Sequence, residues 1–330
     1  MKLGIYLPHH VPSVNYPITF EKILEFAEKA EELDFHSVWM GEHMLVAPHT
    51  YTRSYLDPMT MLTAIASRTK KVKLGTNVLI LPLHQPVRLA KQIATLDFVA
   101  PDRFMLGVAV GYNSKEFEAV GVPLNERASR TDEYLEIVKR LLSEPSVTHH
   151  GRFYKFRDVS IEPLPAKRPP ILVGGGSMAP REVGTSAMGM RDWVMASSLL
   201  ERIVKYDGWM SRGRSTNKQL ASDWEKIKAQ ARRVGRDPST LTFASYSYLH
   251  LVETEDHDEA LRVQKPLFDE LVEDPWEYVQ QVYFTGSVEK IIERIKERER
   301  MGVEIMFFMP MSLDVSQLEV WDREIFSRFK

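Results

Sequence analysis

Short apolar runs alternate with amphipathic stretches along nearly the whole chain. Leu3-Gly4-Ile5-Tyr6-Leu7 reads as a strand. After it, Phe20, Ile23, Leu24, Ala27, Ala30 and Leu33 fall at the three-and-four spacing of a helix with one buried face, and Thr19 is placed to cap it. The pattern recurs: Val38 to Met40 then Met61 to Ser67; Lys73 to Leu81 then Leu89 to Val99; Phe104 to Val110 then Thr131 to Leu142. Pro170 to Val173 precedes a helix near Pro180 to Met188, and Asp192 to Ser197 precedes a helix from Ser222 to Val234. Leu241 to Val252 leads to Asp258 to Leu271 and Val288 to Arg300, and Glu304 to Met309 leads to Val315 to Phe329.

Strands that alternate with helices at this pace are parallel strands joined by crossover helices. The count is about eight units, the number that closes a (β/α)8 TIM barrel. A single barrel domain over residues 1–330 is therefore expected, with insertions at its catalytic face. An open doubly wound sheet fits less well, since no G-x-G-x-x-G follows the first strand. One insertion is a hairpin near 147–165, where aromatic and polar residues alternate through Phe153, Tyr154, Lys155 and Phe156. The other, near 199–220, carries Arg202, Lys205, Arg212, Arg214 and Lys218 with Gly208 and Gly213, and is expected to be a lid after the sixth strand.

Composition narrows the chemistry. The 330 residues contain no cysteine, which removes disulfides, thiolate nucleophiles, sulfur-bound zinc and iron–sulfur clusters. Lysine and arginine nearly balance aspartate and glutamate at a formal charge of -2, so there is no field to gather nucleic acid or an anionic membrane. No apolar stretch approaches the roughly 20 residues of a membrane span. A soluble, cytoplasmic protein is expected, without nucleic-acid or membrane partners.

On a barrel the strand ends converge on one mouth. Here they bear His9 and His10, Glu42 and His43, Thr76 and Asn77, Gly111 with Tyr112 and Asn113, Gly174 to Ser177, and Tyr246. Carboxylates are scarce, and no metal-ligand motif is present. Gly174-Gly175-Gly176-Ser177 reads either as a cradle whose backbone N–H groups approach a phosphate or as a tight turn. Asn77 inside an apolar strand marks a bulge aimed at a ligand or a satisfied polar position at the rim. His43 is a candidate proton donor or acceptor on its titration range, or a rim histidine bound to a carbonyl. Tyr112-Asn113 could simply turn the chain, and His149-His150 reads as a polar loop.

Taken together, these residues resemble the luciferase-like monooxygenase family, the flavin- and F420-dependent enzymes. The resemblance runs through Ser37 to His43, Leu74 to Pro82, Leu106 to Asn113 with Glu116-Phe117, Arg130 to Glu133, Pro169 to Gly175 and Gly235 to Pro238. It implies a dimeric (β/α)8 barrel that binds FMN or coenzyme F420. It places an acid–histidine pair on Glu42 and His43, as the catalytic residues. It also places a ring-supporting bulge, often with a non-prolyl cis peptide, on Asn77-Val78 beside Thr76. The loop after the fourth strand falls on Gly111, Tyr112 and Asn113, and the phosphate loop on Gly174, Gly175, Gly176 and Ser177. Asn77 stands where a small residue is common, and Met190-Arg191-Asp192-Trp193 stands for the usual Gly-Asp-Gly-Trp.

The expected function is an FMN- or F420-dependent oxidoreductase or monooxygenase acting on a small organic substrate. The cofactor would supply the redox chemistry and His43 a proton. His10, Arg212, Arg214 and Tyr246 are the candidate substrate or lid residues, with Arg212, Arg214 and Lys218 either meeting an acidic cofactor tail or forming a solvated basic loop. The expected partners are the substrate, a separate flavin or F420 reductase, and a second copy in a homodimer; no metal is assigned. The alternatives are a metal-dependent barrel hydrolase or isomerase built on Glu42, His43, His9 and His10, or a non-catalytic flavin-binding relative.

Overall fold

The computed structural model describes residues 1–8, 18–45, 55–178, 194–272 and 274–329. By contacts the chain divides into two compact units, residues 3–171 and residues 1–2 with 172–330.

The first unit begins with β1 (Lys2–Tyr6), α1 (Phe20–Glu32), β2 (Ser37–Met40), α2 (Pro58–Arg68), β3 (Lys73–Thr76) and a two-residue β4 (Leu79–Ile80). It continues with α3 (Pro86–Val99), β5 (Phe104–Ala109), α4 (Ser114–Ala119) and α5 (Arg127–Leu141). Its sheet is parallel throughout, with Ile5 opposite Val38, Val38 opposite Leu74, Leu74 opposite Phe104 and Leu79 opposite Val108. β2 is buried along its whole length, as a strand covered on both faces must be. The helices start where the side chains can take over unsatisfied backbone donors. Thr19 Oγ1 accepts from Lys22 N–H at 3.2 Å, and Asp57 Oδ1 from Thr60 N–H at 2.7 Å ahead of Pro58.

The hairpin lies where the alternation put it, as β6 (Val147–His150) and β7 (Lys155–Val159), paired antiparallel. His149 and His150 belong to β6 rather than to a polar loop. His149 is buried because Glu133 of α5 reaches it at 3.2 Å and also accepts the N–H groups of Phe153 at 3.0 Å and Tyr154 at 2.8 Å. Burial alone would raise this carboxyl, but those two backbone bonds and His149 hold it below the usual carboxylate range.

The second unit holds β8 (Ile171–Gly174), α6 (Ser197–Lys205), β9 (Gly208–Met210), α7 (Asn217–Arg233) and β10 (Thr242–Leu249). It ends with α8 (His257–Leu271), α9 (Trp276–Val282), α10 (Val288–Met301), β11 (Ile305–Pro310) and α11 (Ser316–Glu324). The strands are again parallel, with Val173 opposite Trp209, Trp209 opposite Phe243 and Tyr246 opposite Phe307. Between β9, β10 and α7, Phe243 packs on Trp209 at 4.5 Å and on Trp224 at 4.9 Å between ring centres. The eight main strands, each leading on to a helix, give the (β/α)8 barrel fold.

Two expectations are corrected here. The sixth strand is not Asp192 to Ser197: residues 192 and 193 lie outside the described residues, Val194 makes a lone bridge to Met178, and Ser197 opens α6. The strand is β9, three residues long. Residues 199–220 accordingly contain most of α6, all of β9 and the start of α7, so they form an ordinary repeat unit rather than a lid inserted after a strand. The helix expected near Pro180 to Met188 lies outside the described residues, as does the Met190 to Trp193 segment.

Candidate functional site

Glu42 and His43 are neighbours in sequence just past the end of β2, yet each has a different partner. Glu42 Oε1 lies 2.7 Å from His84 Nε2, and its Oε2 accepts the Ile80 N–H at 2.6 Å. The carboxylate thereby ties the end of β2 to β4 and to the turn that follows it. Burial lowers the proton affinity of His84, but the hydrogen bond and charge of Glu42, with Asp57 adding, raise it overall above the ordinary imidazole value. His43 faces Glu116 of α4 instead, with Nδ1 at 3.4 Å from Glu116 Oε1. Its ring meets Tyr55 edge-on at 4.8 Å and Tyr112 at 6.2 Å between centres. Glu116 is fully buried and accepts the Met44 N–H at 2.7 Å.

The third strand is interrupted where the sequence suggests a bulge. Asn77-Val78 is a non-prolyl cis peptide, Asn77 N–H donates to Met40 O at 2.7 Å, and Tyr6 Oη donates to Asn77 O at 3.4 Å. The Thr76 side chain is buried and turned to β5, where its hydroxyl donates to Gly107 O at 2.8 Å and accepts from Gly107 N–H at 2.9 Å. After β5, Gly111 turns the chain with φ +75°, and Tyr112 is 60% exposed beside His43. Asn113 Oδ1 caps α4 by accepting from Lys115 N–H at 3.1 Å. Its Nδ2 is buried without a hydrogen-bond partner among the described residues.

In the second unit, the glycine run follows β8 as expected. Gly175 adopts φ +145°, a backbone region that favours glycine, and a Cβ there would sit 2.9 Å from Leu199 Cδ2. Its N–H continues the sheet by donating to Met210 O at 3.1 Å, so it does not point a free donor at a ligand. Ser177 N–H donates to Asp223 Oδ2 at 2.8 Å, and Ser177 Oγ is bonded to Asp223 Oδ1. Lys226 Nζ lies 3.3 Å from the same carboxylate and donates to Ser177 Oγ at 3.1 Å, while Arg212 donates to Ser177 O at 2.6 Å. Trp209 Nε1 donates to Gly175 O at 2.8 Å. The loop thus already holds an internal anion among two cations.

Of the other candidates, Tyr246 stacks on Phe307 at 5.7 Å, and Arg214 pairs with Asp274. His9 and His10 lie outside the described residues. Among the described residues no three His, Asp or Glu side chains gather as metal ligands, and no helix is long and apolar enough to cross a membrane.

A family model described as luciferase-like monooxygenase matches residues 1–196, well over half of the chain. The chain belongs to that family. Its members include oxidoreductases that use F420 and monooxygenases. It is 35% identical over 159 residues to an F420-dependent glucose-6-phosphate dehydrogenase of Kineococcus radiotolerans, covering 47% of each chain. It is 27% identical over 169 residues to the 4-hydroxyprotoasukamycin monooxygenase of Streptomyces nodosus subsp. asukaensis, covering 51% of this chain and 44% of that one. The chain thus spans about half the length of the curated relatives it matches. Over its full length it shares the fold of the monooxygenase RslO1 from Streptomyces bottropensis, with a TM-score of 0.82 at 23% identity and 100% of both chains covered.

Sequence reasoning gave Glu116, His84, Asp223 and Lys226 no role. Asp223 carried a signal, since it falls within the buried stripe Leu220, Trp224, Ile227 and Ala231 of α7. Glu116 carried a weaker one, as the third residue of a helix that Asn113 caps.

Proposed function

We infer that the protein is an oxidoreductase that works with a flavin-type cofactor, FMN or F420, on a small organic substrate. The observation that carries this reading is the group beside the interrupted third strand. His43, held between Tyr55 and Tyr112, is a proton-exchanging side chain next to aromatic surface. Asn113 adds a buried amide donor without a partner, which suits the carbonyl and ring-nitrogen acceptors of such a cofactor. Membership of the family supports the same reading.

When bound, either cofactor supplies the redox chemistry that no side chain here can perform. The protein does the rest. Asn113 and the backbone at Asn77-Val78 and Gly111 orient the ring, Tyr112 covers it from water, and His43 holds or moves the proton that balances the redox step. In the second unit the donors of the loop Gly174 to Ser177 are engaged by Asp223, with Lys226 and Arg212 beside them, so a phosphate there would have to compete with that carboxylate.

Titration of the purified protein with FMN and with F420, followed by turnover of the tighter complex, tests the reading. His43→Gln should bind the cofactor as the parent does and lose about 10²–10⁴-fold in turnover. Binding of neither cofactor, or unchanged turnover in His43→Gln, overturns it.

A further inference from the structure

We propose that Glu116 is the positioning residue of His43: its carboxylate takes the Nδ1 proton of the neutral ring and so leaves Nε2 as the atom that accepts a proton from a reacting partner. The assignment rests on the reading of His43 given above, but its geometry stands alone.

Glu116 is fully buried, and a buried carboxylate must be compensated by donors. Those it has are few. Oε1 accepts the Met44 N–H, and Oε2 has no hydrogen-bond partner among the described residues. The nearest side-chain nitrogen is His43 Nδ1 at 3.4 Å, a few tenths of an ångström beyond a good hydrogen bond. A small turn of the imidazole closes that gap, and the carboxylate lacks any other described side chain to satisfy.

Among the described contacts of His43, the carboxylate beside Nδ1 is that of Glu116. Tyr55 and Tyr112 meet the ring edge-on. Glu42, the next acid along the chain, is turned away to His84 and Ile80. Because Met44 directly follows His43, Glu116 grips backbone and ring together, so the side chain and the segment after β2 are held by one group.

The consequence is a choice of tautomer. Which ring nitrogen of a histidine carries the proton is set by the hydrogen bond that the other makes. With Nδ1–H directed at Glu116, Nε2 is the acceptor, and the protonated ring that forms after transfer lies against a negative charge. His43 is then the group that touches the reaction, and Glu116 acts through it.

The test reads the ring rather than turnover. Protein labelled with ¹⁵N in its histidines gives tautomer-specific nitrogen shifts, and His43→Gln identifies the His43 signals by their loss. Neutral His43 in the parent should show Nδ1–H. Glu116→Gln keeps an acceptor oxygen and should keep that tautomer, whereas Glu116→Met removes it and should change the tautomer ratio by about tenfold or more, the scale of a lost bond to a charged acceptor. Nε2–H in the parent, or an unchanged ratio in folded Glu116→Met, overturns the proposal. If Glu116→Met fails to fold, the parent spectrum alone decides. Unchanged turnover in His43→Gln would remove the catalytic reading of His43 and leave this result standing.

Discussion

Glu42 reaches across the first unit to His84, 42 residues away, and not to the histidine beside it. The bond joins the end of β2 to the turn after β4, and so braces both sides of the interrupted third strand. Because the proton affinity of His84 is raised in the folded protein, its contribution to stability is complete below the ordinary imidazole value of about 6.5 and is lost as pH rises through the raised value. The urea midpoint should therefore fall as pH rises above about 6.5, and the fall should shrink in His84→Gln. An identical pH slope in parent and variant would show that other groups govern it.

Thr76 was expected to meet the cofactor, but its hydroxyl is satisfied at both ends by Gly107. Thr76→Val keeps the shape and leaves the Gly107 N–H and C=O without that partner, at a cost of about 1–3 kcal/mol. Denaturant unfolding should show that loss while cofactor affinity changes less than tenfold. A large affinity loss without destabilisation would restore the ligand role.

At the glycine loop, a phosphate bound near Ser177 would share its donors with the Asp223 carboxylate. Asp223→Asn removes that competing negative charge. FMN binding should tighten relative to riboflavin, which lacks the phosphate; an unchanged ratio of the two affinities would show that the phosphate lies elsewhere.

Residues 199–220 are built of α6, β9 and the first turn of α7, with Arg212 on Ser177 O and Arg214 on Asp274. Trypsin should cut after these arginines no faster than the protein unfolds, with or without cofactor. Rapid cleavage in the absence of cofactor would bring back the lid.

The barrel was legible because its strands are covered on both faces. Val38-Trp39-Met40 and Ile171-Leu172-Val173 are continuous apolar runs, and the helices between them keep a single buried stripe. The sixth strand escaped because three residues, Gly208-Trp209-Met210, are too few to show a period. The apolar positions of α6 next to it, Ile203 and Val204, are flanked by Arg202 and Lys205. At the candidate site, residue types at strand ends were legible but their partners were not. The pairs Glu42–His84, His43–Glu116 and Ser177–Asp223 join residues 42, 73 and 46 positions apart, and only the fold selects them.

The Trp209 indole donates to Gly175 O while packing on Phe243, so one chromophore touches both the loop and the aromatic layer behind it. Its emission depends on that hydrogen bond and on the charge of nearby groups. A ligand that reshapes the loop therefore carries its own optical report. Of the six tryptophans in the chain, this is the one whose replacement by phenylalanine should silence the signal.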